Sequence, residues 1–234
     1  MARIQLESVF WYIVSFMVLL VFVALAFAAL LIPRIDEHFL DMSSWRQLYA
    51  LVTAILMVLV LHEGVHALVA KALGGGRVGL GVARVKWLPI GLYVRIEKPL
   101  PAWKWMLIAL SPLLLSVYFL WSAMSGGWAG AVMWLAYIIN TMGCSGDIVL
   151  TILVVSSGMK SLVADRGNAL EIQDSNPRWW AVALLDATLA FLLSGLIVGT
   201  SSLLLAVATM KDVSLAWLPL VKLKAGSIGE SRFF

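Results

Sequence analysis

Five long apolar runs constrain this chain more than any other feature of its sequence. They cover about residues 10–32, 48–73, 103–124, 128–157 and 179–210. Because an α-helix rises 1.5 Å per residue, each run is long enough to cross the roughly 30 Å hydrocarbon core of a bilayer. Of the 234 residues, 62% are hydrophobic and 13% are charged, whereas about 25% of a soluble domain is charged. The sequence therefore predicts an all-α polytopic membrane protein with about five or six transmembrane helices, in a single domain over residues 1–234.

A segment after the second run, residues 77–98, has the alternation of a β-strand instead. Val78, Leu80 and Val82 alternate with small residues, and the alternation slips by one place after Ala83. Such a slip indicates a β-bulge, and residues 88–91 have the composition of a turn. We predict a small β-hairpin insert here, at the membrane interface or folded against protein, because an open sheet edge cannot face lipid. A further short strand is predicted at residues 169–172.

The distribution of Lys and Arg predicts the orientation in the membrane. The densest basic segment lies between the second and third runs, at residues 71–104, and is therefore expected in the cytoplasm together with the N-terminus. The connector 33–46 is then outside, and the side of the C-terminal tail stays open. A signal peptide cleaved near Ala26 is the competing interpretation of the first run, but the run continues past that point. No basic patch interleaved with aromatic residues suggests nucleic-acid binding.

The second run carries the motif His62-Glu63-Gly64-Val65-His66. Helical residues four apart share a face, so both imidazoles can reach one zinc ion, and Glu63 can act as general base toward a water. Ionisable side chains inside a membrane span are costly unless they have a function. With a single cysteine, Cys144, the chain has no cysteine zinc cluster. The motif predicts a metal site within the membrane.

A third protein ligand is needed, and buried carboxylates are the best candidates. His62 and Asp147 lie at matching distances from the predicted cytoplasmic ends of their spans, about 15–17 Å at the helical rise. Asp186 lies about 10–11 Å deep by the same rise. We prefer Asp147 and keep Asp186 as the alternative. The remaining histidine, His38, falls in the outer connector.

Asn140 precedes Asp147 by two helical turns and shares its face. Its amide could stabilise the oxyanion of a tetrahedral intermediate, or make an interhelical hydrogen bond. Both interpretations stay open. Gly143 and Gly146 between them would allow a neighbouring helix to approach closely.

Together these features resemble the site-2 protease type of intramembrane zinc metalloprotease. The shared elements are the His-Glu-x-x-His motif in a membrane helix, the β-rich insert, Ser111-Pro112 in the next span, and Asn140 and Asp147 in the fourth. Ser145-Gly146-Asp147 most resembles the small bacterial membrane proteins of the Putative zincin peptidase family (DUF3267). The resemblance covers roughly residues 50–157.

The resemblance implies that Zn²⁺ is the cofactor and that the bacterial cytoplasmic membrane is the location. It implies zinc ligation by His62, His66 and Asp147, with Glu63 activating water. Site-2 proteases usually place glycine just before the second histidine and just after the aspartate. Here Val65 occupies the first position, and Gly146 precedes the aspartate.

We therefore expect an intramembrane zinc endopeptidase that cleaves membrane-embedded or membrane-proximal peptides. Its partners would be a membrane protein or peptide substrate and the lipid bilayer, with the oligomeric state left open. The strand edge at residues 92–97 could hold an extended substrate by strand addition. The alternatives are an inactive scaffold or regulator, which the intact Glu63 disfavours, and an ion- or proton-coupled transporter, which the lack of an internal repeat disfavours.

Overall fold

The structure, a computed structural model, describes residues 2–31, 44–85, 88–165, 169–173, 175–208, 213–214 and 222–223. The predictions for His38 and for the rest of the connector 33–43 lie outside these residues. The chain forms two compact units, Met1–Leu189 and Ala190–Phe234. The site described below lies in the first unit.

Helices make up most of the described chain, as the apolar runs predict. They are α1 (Leu6–Leu31), α2 (Ser44–Ala72), α3 (Ala102–Leu110), α4 (Leu113–Ala123), α5 (Gly127–Ser157) and α6 (Trp179–Ala208). Four stretches of the described residues are long and apolar enough to cross a membrane: Glu7–Ala26, Ser44–Ala72, Ala102–Ala123 and Gly127–Ser157. A shorter apolar stretch, Trp179–Gly195, lies in α6. Several helices of membrane length are thus confirmed, and the number of spans stays a prediction.

Helix α5 is the centre of the helical bundle, because it packs against α1, α2, α3 and α4. Its contact with α2 and α4 is a cluster of small and apolar side chains, including the fully buried Ala50, Ala54, Phe119 and Ala136. Small residues let helix backbones approach closely in a membrane protein. This packing brings one face of α2 directly against α5.

A four-stranded antiparallel sheet lies at one end of the first unit, with strand order β1-β6-β5-β4. Its strands are β1 (Ala2–Gln5), β4 (Leu100–Pro101), β5 (Leu162–Asp165) and β6 (Ala169–Ile172). Strand β6 confirms the strand predicted at residues 169–172, whereas the other three were not predicted. The sheet joins the N-terminus, the segment before α3 and the loop after α5, which the basic-residue argument also placed on one side of the membrane.

The predicted hairpin consists of β2 (Val78–Val85) and β3 (Leu88–Ile96), paired antiparallel. Its register shifts between Ala83 and Arg84, which confirms the predicted bulge. The turn predicted at residues 88–91 is wrong, because these residues belong to β3. In a two-stranded sheet every strand is an edge strand, where the missing N–H of Pro89 is tolerated. The second unit contains a short antiparallel pair, β7 (Val213–Ser214) and β8 (Lys222–Leu223).

Candidate metal centre

Three side chains converge where α2 faces α5. His62 and His66 lie one helical turn apart on the buried face of α2, and Asp147 reaches them from α5. The Nε2 atom of each histidine is 3.3 Å from Asp147 Oδ2. One ligand atom from each of the three residues lies within 4.8 Å of the others. The predicted ligand set is therefore brought together in space and could hold a metal ion.

The hydrogen bonds of Asn140 determine which ring nitrogen of His62 faces the centre. Asn140 Nδ2 donates to Pro112 O at 2.9 Å and to Ser116 Oγ at 2.8 Å. Because a carbonyl oxygen only accepts, this end of the amide must be the nitrogen. The other end, Asn140 Oδ1, lies 3.0 Å from His62 Nδ1, so Nδ1 carries the hydrogen. His62 consequently turns the lone pair of Nε2 toward Asp147.

A backbone carbonyl determines which ring nitrogen of His66 faces the centre. His66 Nδ1 lies 2.8 Å from Ile108 O, and this oxygen can only accept, so Nδ1 again carries the hydrogen. In an unbroken helix Ile108 O would accept from the N–H of residue 112, but Pro112 has no N–H. The break between α3 and α4 thus leaves this carbonyl without its usual donor, and it accepts instead from His66 Nδ1–H, from Ser111 Oγ at 2.7 Å and from Ser111 N–H at 3.3 Å.

The three facing atoms fit a metal ion. Two imidazole lone pairs and a carboxylate oxygen point at one place, and Asp147 Oδ2 is buried without a hydrogen-bond partner among the described residues. Converging lone pairs repel each other unless a cation lies between them. Two atoms about 2.0–2.1 Å from a zinc ion at the tetrahedral angle lie about 3.3–3.4 Å apart, which matches both 3.3 Å distances. Three protein ligands also leave the open position typical of a catalytic site.

Glu63 lies beside this centre and lines a pocket. Its Oε2 atom is buried and has no hydrogen-bond partner among the described residues. The pocket has a volume of about 270 Å³. Its walls come from α2 and β2, and the lining residues are Leu59, Val60, Glu63, Gly64, Ala67, Val78, Gly79 and Leu80. A carboxylate oxygen is thus available to accept a hydrogen bond from a water or substrate at this point.

Asp186, the alternative ligand, lies elsewhere. Its Oδ1 accepts a hydrogen bond from Tyr12 of α1 at 2.5 Å, and Asp186 is absent from the group of ligand atoms formed by His62, His66 and Asp147. The geometry therefore brings Asp147, rather than Asp186, to the two histidines.

Only one of the two glycines near Asp147 lies against the metal centre. A Cβ atom on Gly143 would be 3.5 Å from Cε1 of the His62 ring, whereas one on Gly146 would have Ile13 of α1 as its nearest neighbour, at 4.0 Å. Gly143 thus faces the imidazole, although a Cβ atom at this distance would make only an ordinary van der Waals contact with the ring.

Sequence analysis missed the groups that orient the ligands, namely Ile108 O, Pro112 O and Ser116 Oγ. Two of them are backbone carbonyls, which carry no side-chain signal. The one available signal was the proline within an apolar run, which marks a place where a helix must leave a carbonyl without its usual donor.

The comparisons with known proteins are consistent with this site. The family model DUF3267, described as Putative zincin peptidase, matches residues 55–162. A curated protein of Pyrococcus woesei, described as the uncharacterized 24.7 kDa protein in gap 5'region, is 34% identical over 162 residues. That alignment covers 65% of this chain and 70% of the relative. No solved structure matches the chain. The residues matched by the family model include all three ligand residues, Glu63 and Asn140.

Proposed function

The chain belongs to the Putative zincin peptidase family (DUF3267), and from this premise we propose that it is an intramembrane zinc metalloprotease. Its substrates would be membrane-embedded or membrane-proximal peptides. One observation carries the proposal: His62, His66 and Asp147 direct three lone pairs at one point, and the neighbouring Glu63 has an unpaired carboxylate oxygen. These residues lie in two helices of membrane length.

Each residue has a defined part in this proposal. His62, His66 and Asp147 would hold Zn²⁺, which would supply a Lewis acid for the scissile carbonyl and lower the pKa of a water. Glu63 accepts a proton from the attacking water through Oε2 and returns it to the leaving amine as general acid. Burial of this carboxylate excludes competing solvent, which strengthens its interaction with the reacting groups.

For Asn140 we propose a positioning role instead of the oxyanion role considered from the sequence. Both hydrogens of its amide nitrogen are directed to Pro112 and Ser116, and its oxygen faces His62. Its side chain is fully buried, so no N–H remains to meet a substrate oxygen. Asn140 thereby fixes the orientation of His62, as groups behind a metal ligand commonly do.

The pocket beside Glu63 suggests how an extended substrate is held. Val78, Gly79 and Leu80 are consecutive in β2, so their side chains point alternately to opposite faces. All three line the pocket, which therefore meets the edge of the strand. We expected the substrate at the 92–97 edge of β3, but Ile96 N–H there donates to Asp165 Oδ2 at 3.4 Å. The other edge of β2 pairs with no strand among the described residues and is the better place for strand addition by a peptide.

We further propose that the protein lies in the bacterial cytoplasmic membrane with the four-stranded sheet on the cytoplasmic side. Lys71, Lys98 and Lys104 are at this end of the helices, which fits the preference of basic residues for the cytoplasm. Lys104 Nζ donates to Leu73 O at 2.9 Å, just after α2 ends. A cation is favourable at a helix C-terminus.

A cleavage assay in proteoliposomes tests the proposal. We expect wild-type protein loaded with zinc to cleave a transmembrane peptide, and a zinc chelator to abolish cleavage. Glu63→Gln should keep its zinc and lose about 10²- to 10⁴-fold in rate, the usual contribution of a general acid–base group. Glu97→Gln is the matched control, because it makes the same chemical change at the exposed base of the hairpin. This variant should cleave the peptide at the wild-type rate.

Two results would contradict the proposal: undiminished cleavage by Glu63→Gln, or cleavage by protein freed of zinc. A transporter would instead move an ion in a manner sensitive to the same substitution and release no peptide product.

A further inference from the structure

We propose that the pocket beside Glu63 is a specificity subsite that takes one large apolar side chain of the substrate, next to the scissile bond. Gly64 of α2 and Gly79 of β2 would set its size. This inference rests on the proposed function, because it assigns the pocket to the substrate of that same centre.

The chemistry of the walls defines the class of side chain. Leu59, Val60 and Ala67 line the pocket from α2, and Val78 and Leu80 line it from β2. Apart from Glu63, every lining residue is apolar or glycine. Because the Glu63 carboxylate is assigned to the reacting water, a polar or charged substrate side chain would lose its hydration against the remaining walls without gaining a partner from them. The walls therefore suit an aliphatic or aromatic side chain.

The size of the pocket suits a single side chain. Its volume of about 270 Å³ lies below the roughly 300–1,000 Å³ range of pockets for drug-sized ligands.

The position of the pocket relates it to the reaction. Glu63 is both the proposed general base and part of the pocket wall. Any group that fills the pocket consequently lies against the carboxylate that handles the reacting water. In an extended peptide along β2, the side chain that reaches this wall belongs to a residue flanking the bond that is cleaved.

The two glycines are what keeps the pocket open. A Cβ atom built on either Gly64 or Gly79 meets no other atom within 4 Å. Neither residue is among the glycines with positive φ. Gly81 of the same strand is different, because its Cβ would lie 2.5 Å from the Tyr93 ring. Gly64 and Gly79 are therefore required neither by backbone conformation nor by packing, and side chains there would project into empty space.

The subsite is tested with two transmembrane peptides that differ only by Leu or Ala at the residue flanking the cleaved bond. For wild type we expect kcat/KM for the Leu peptide to be at least about tenfold higher, in the range known for apolar pockets. Gly64→Ala should reduce this preference, and Gly79→Val should abolish or invert it. Gly195→Ala is the matched control, because Gly195 is also helical with no atom within 4 Å of its added Cβ, and it should keep the wild-type ratio.

Zinc content is measured on every variant and should stay at the wild-type level. An unchanged Leu-to-Ala ratio in both pocket variants would overturn the subsite and leave the proposed protease function standing. Loss of zinc or of folding in Gly64→Ala would also contradict the subsite, since the added methyl group should meet only empty space. If wild type cleaves neither peptide, the proposed function fails and the subsite fails with it.

Discussion

At the scale of single residues, the metal centre is defined by the acceptors behind its histidines. Asn140 Oδ1 and Ile108 O each accept from an Nδ1–H, so both Nε2 lone pairs face Asp147. Neither imidazole has to change tautomer when a cation arrives. Partners of this kind behind a metal ligand commonly raise metal affinity.

Replacement of Asn140 by alanine should weaken zinc binding. The substitution removes the acceptor for His62 Nδ1–H, and partners of this kind contribute about 10- to 100-fold to metal affinity. Competition against a chromophoric chelator measures the change. Thr151→Val on the same helix is the control, because Thr151 Oγ1 is buried and has no hydrogen-bond partner in the part of the chain that the structure describes. Equal zinc affinities of Asn140→Ala and wild type would show that Asn140 does not position His62.

The residues of the centre were predictable to different degrees. The spacing of His62, Glu63 and His66 identified them directly, because an i, i+4 pair must share a helix face. Asp147 was preferred to Asp186 because its predicted depth in the membrane matched that of His62 better, and the two depths differed by only a few ångströms. The partners of Asn140 could not be predicted, because they depend on the rotation of α5 about its axis, which the packing of four neighbouring helices determines.

At the scale of secondary-structure elements, the break between α3 and α4 has a direct consequence for the metal centre. Pro112 lacks the N–H that would otherwise bind Ile108 O, and this oxygen accepts from His66 instead. Pro112 O in turn accepts from Asn140. The break thus supplies one carbonyl acceptor for His66 and one for Asn140, the residue behind His62.

Pro112→Ala should lower the affinity for zinc without lowering the stability of the fold. The new N–H can bind Ile108 O and continue the helix, so the substitution should not lower the stability of the fold. His66 then loses its acceptor, so zinc affinity should fall by about 10- to 100-fold while the thermal unfolding temperature holds or rises. Pro101→Ala, at the start of α3, serves as control and should leave zinc affinity unchanged. An unaltered zinc affinity in Pro112→Ala would disprove the role of the break.

The elements that the sequence predicted well are those with local signals. The bulge after Ala83 was predicted from a one-place slip in alternation, and the structure has its register shift there. The prediction of a turn at residues 88–91 was wrong, because proline occurs both in turns and in edge strands. Strands β1, β4 and β5 have two to four residues each, too short for a periodic signal, and they pair across distant parts of the chain.

At the scale of the whole molecule, composition alone indicated a helical membrane protein, and the structure has several apolar helices of membrane length. Which carboxylate meets the histidines depends on how the helices pack. Helix α5 lies against α2 and presents Asp147 to it, whereas α6 presents Asp186 to Tyr12 of α1. The two aspartates therefore have separate roles despite similar predicted depths.

The zinc content of purified wild type, Asp147→Ala and Asp186→Ala tests this arrangement most directly. The three proteins are compared by elemental analysis after purification at equal zinc exposure. We predict one zinc per chain in wild type and in Asp186→Ala, and a large loss in Asp147→Ala because only two ligands remain. Full zinc occupancy in Asp147→Ala, or its loss in Asp186→Ala, would contradict a metal centre formed by His62, His66 and Asp147.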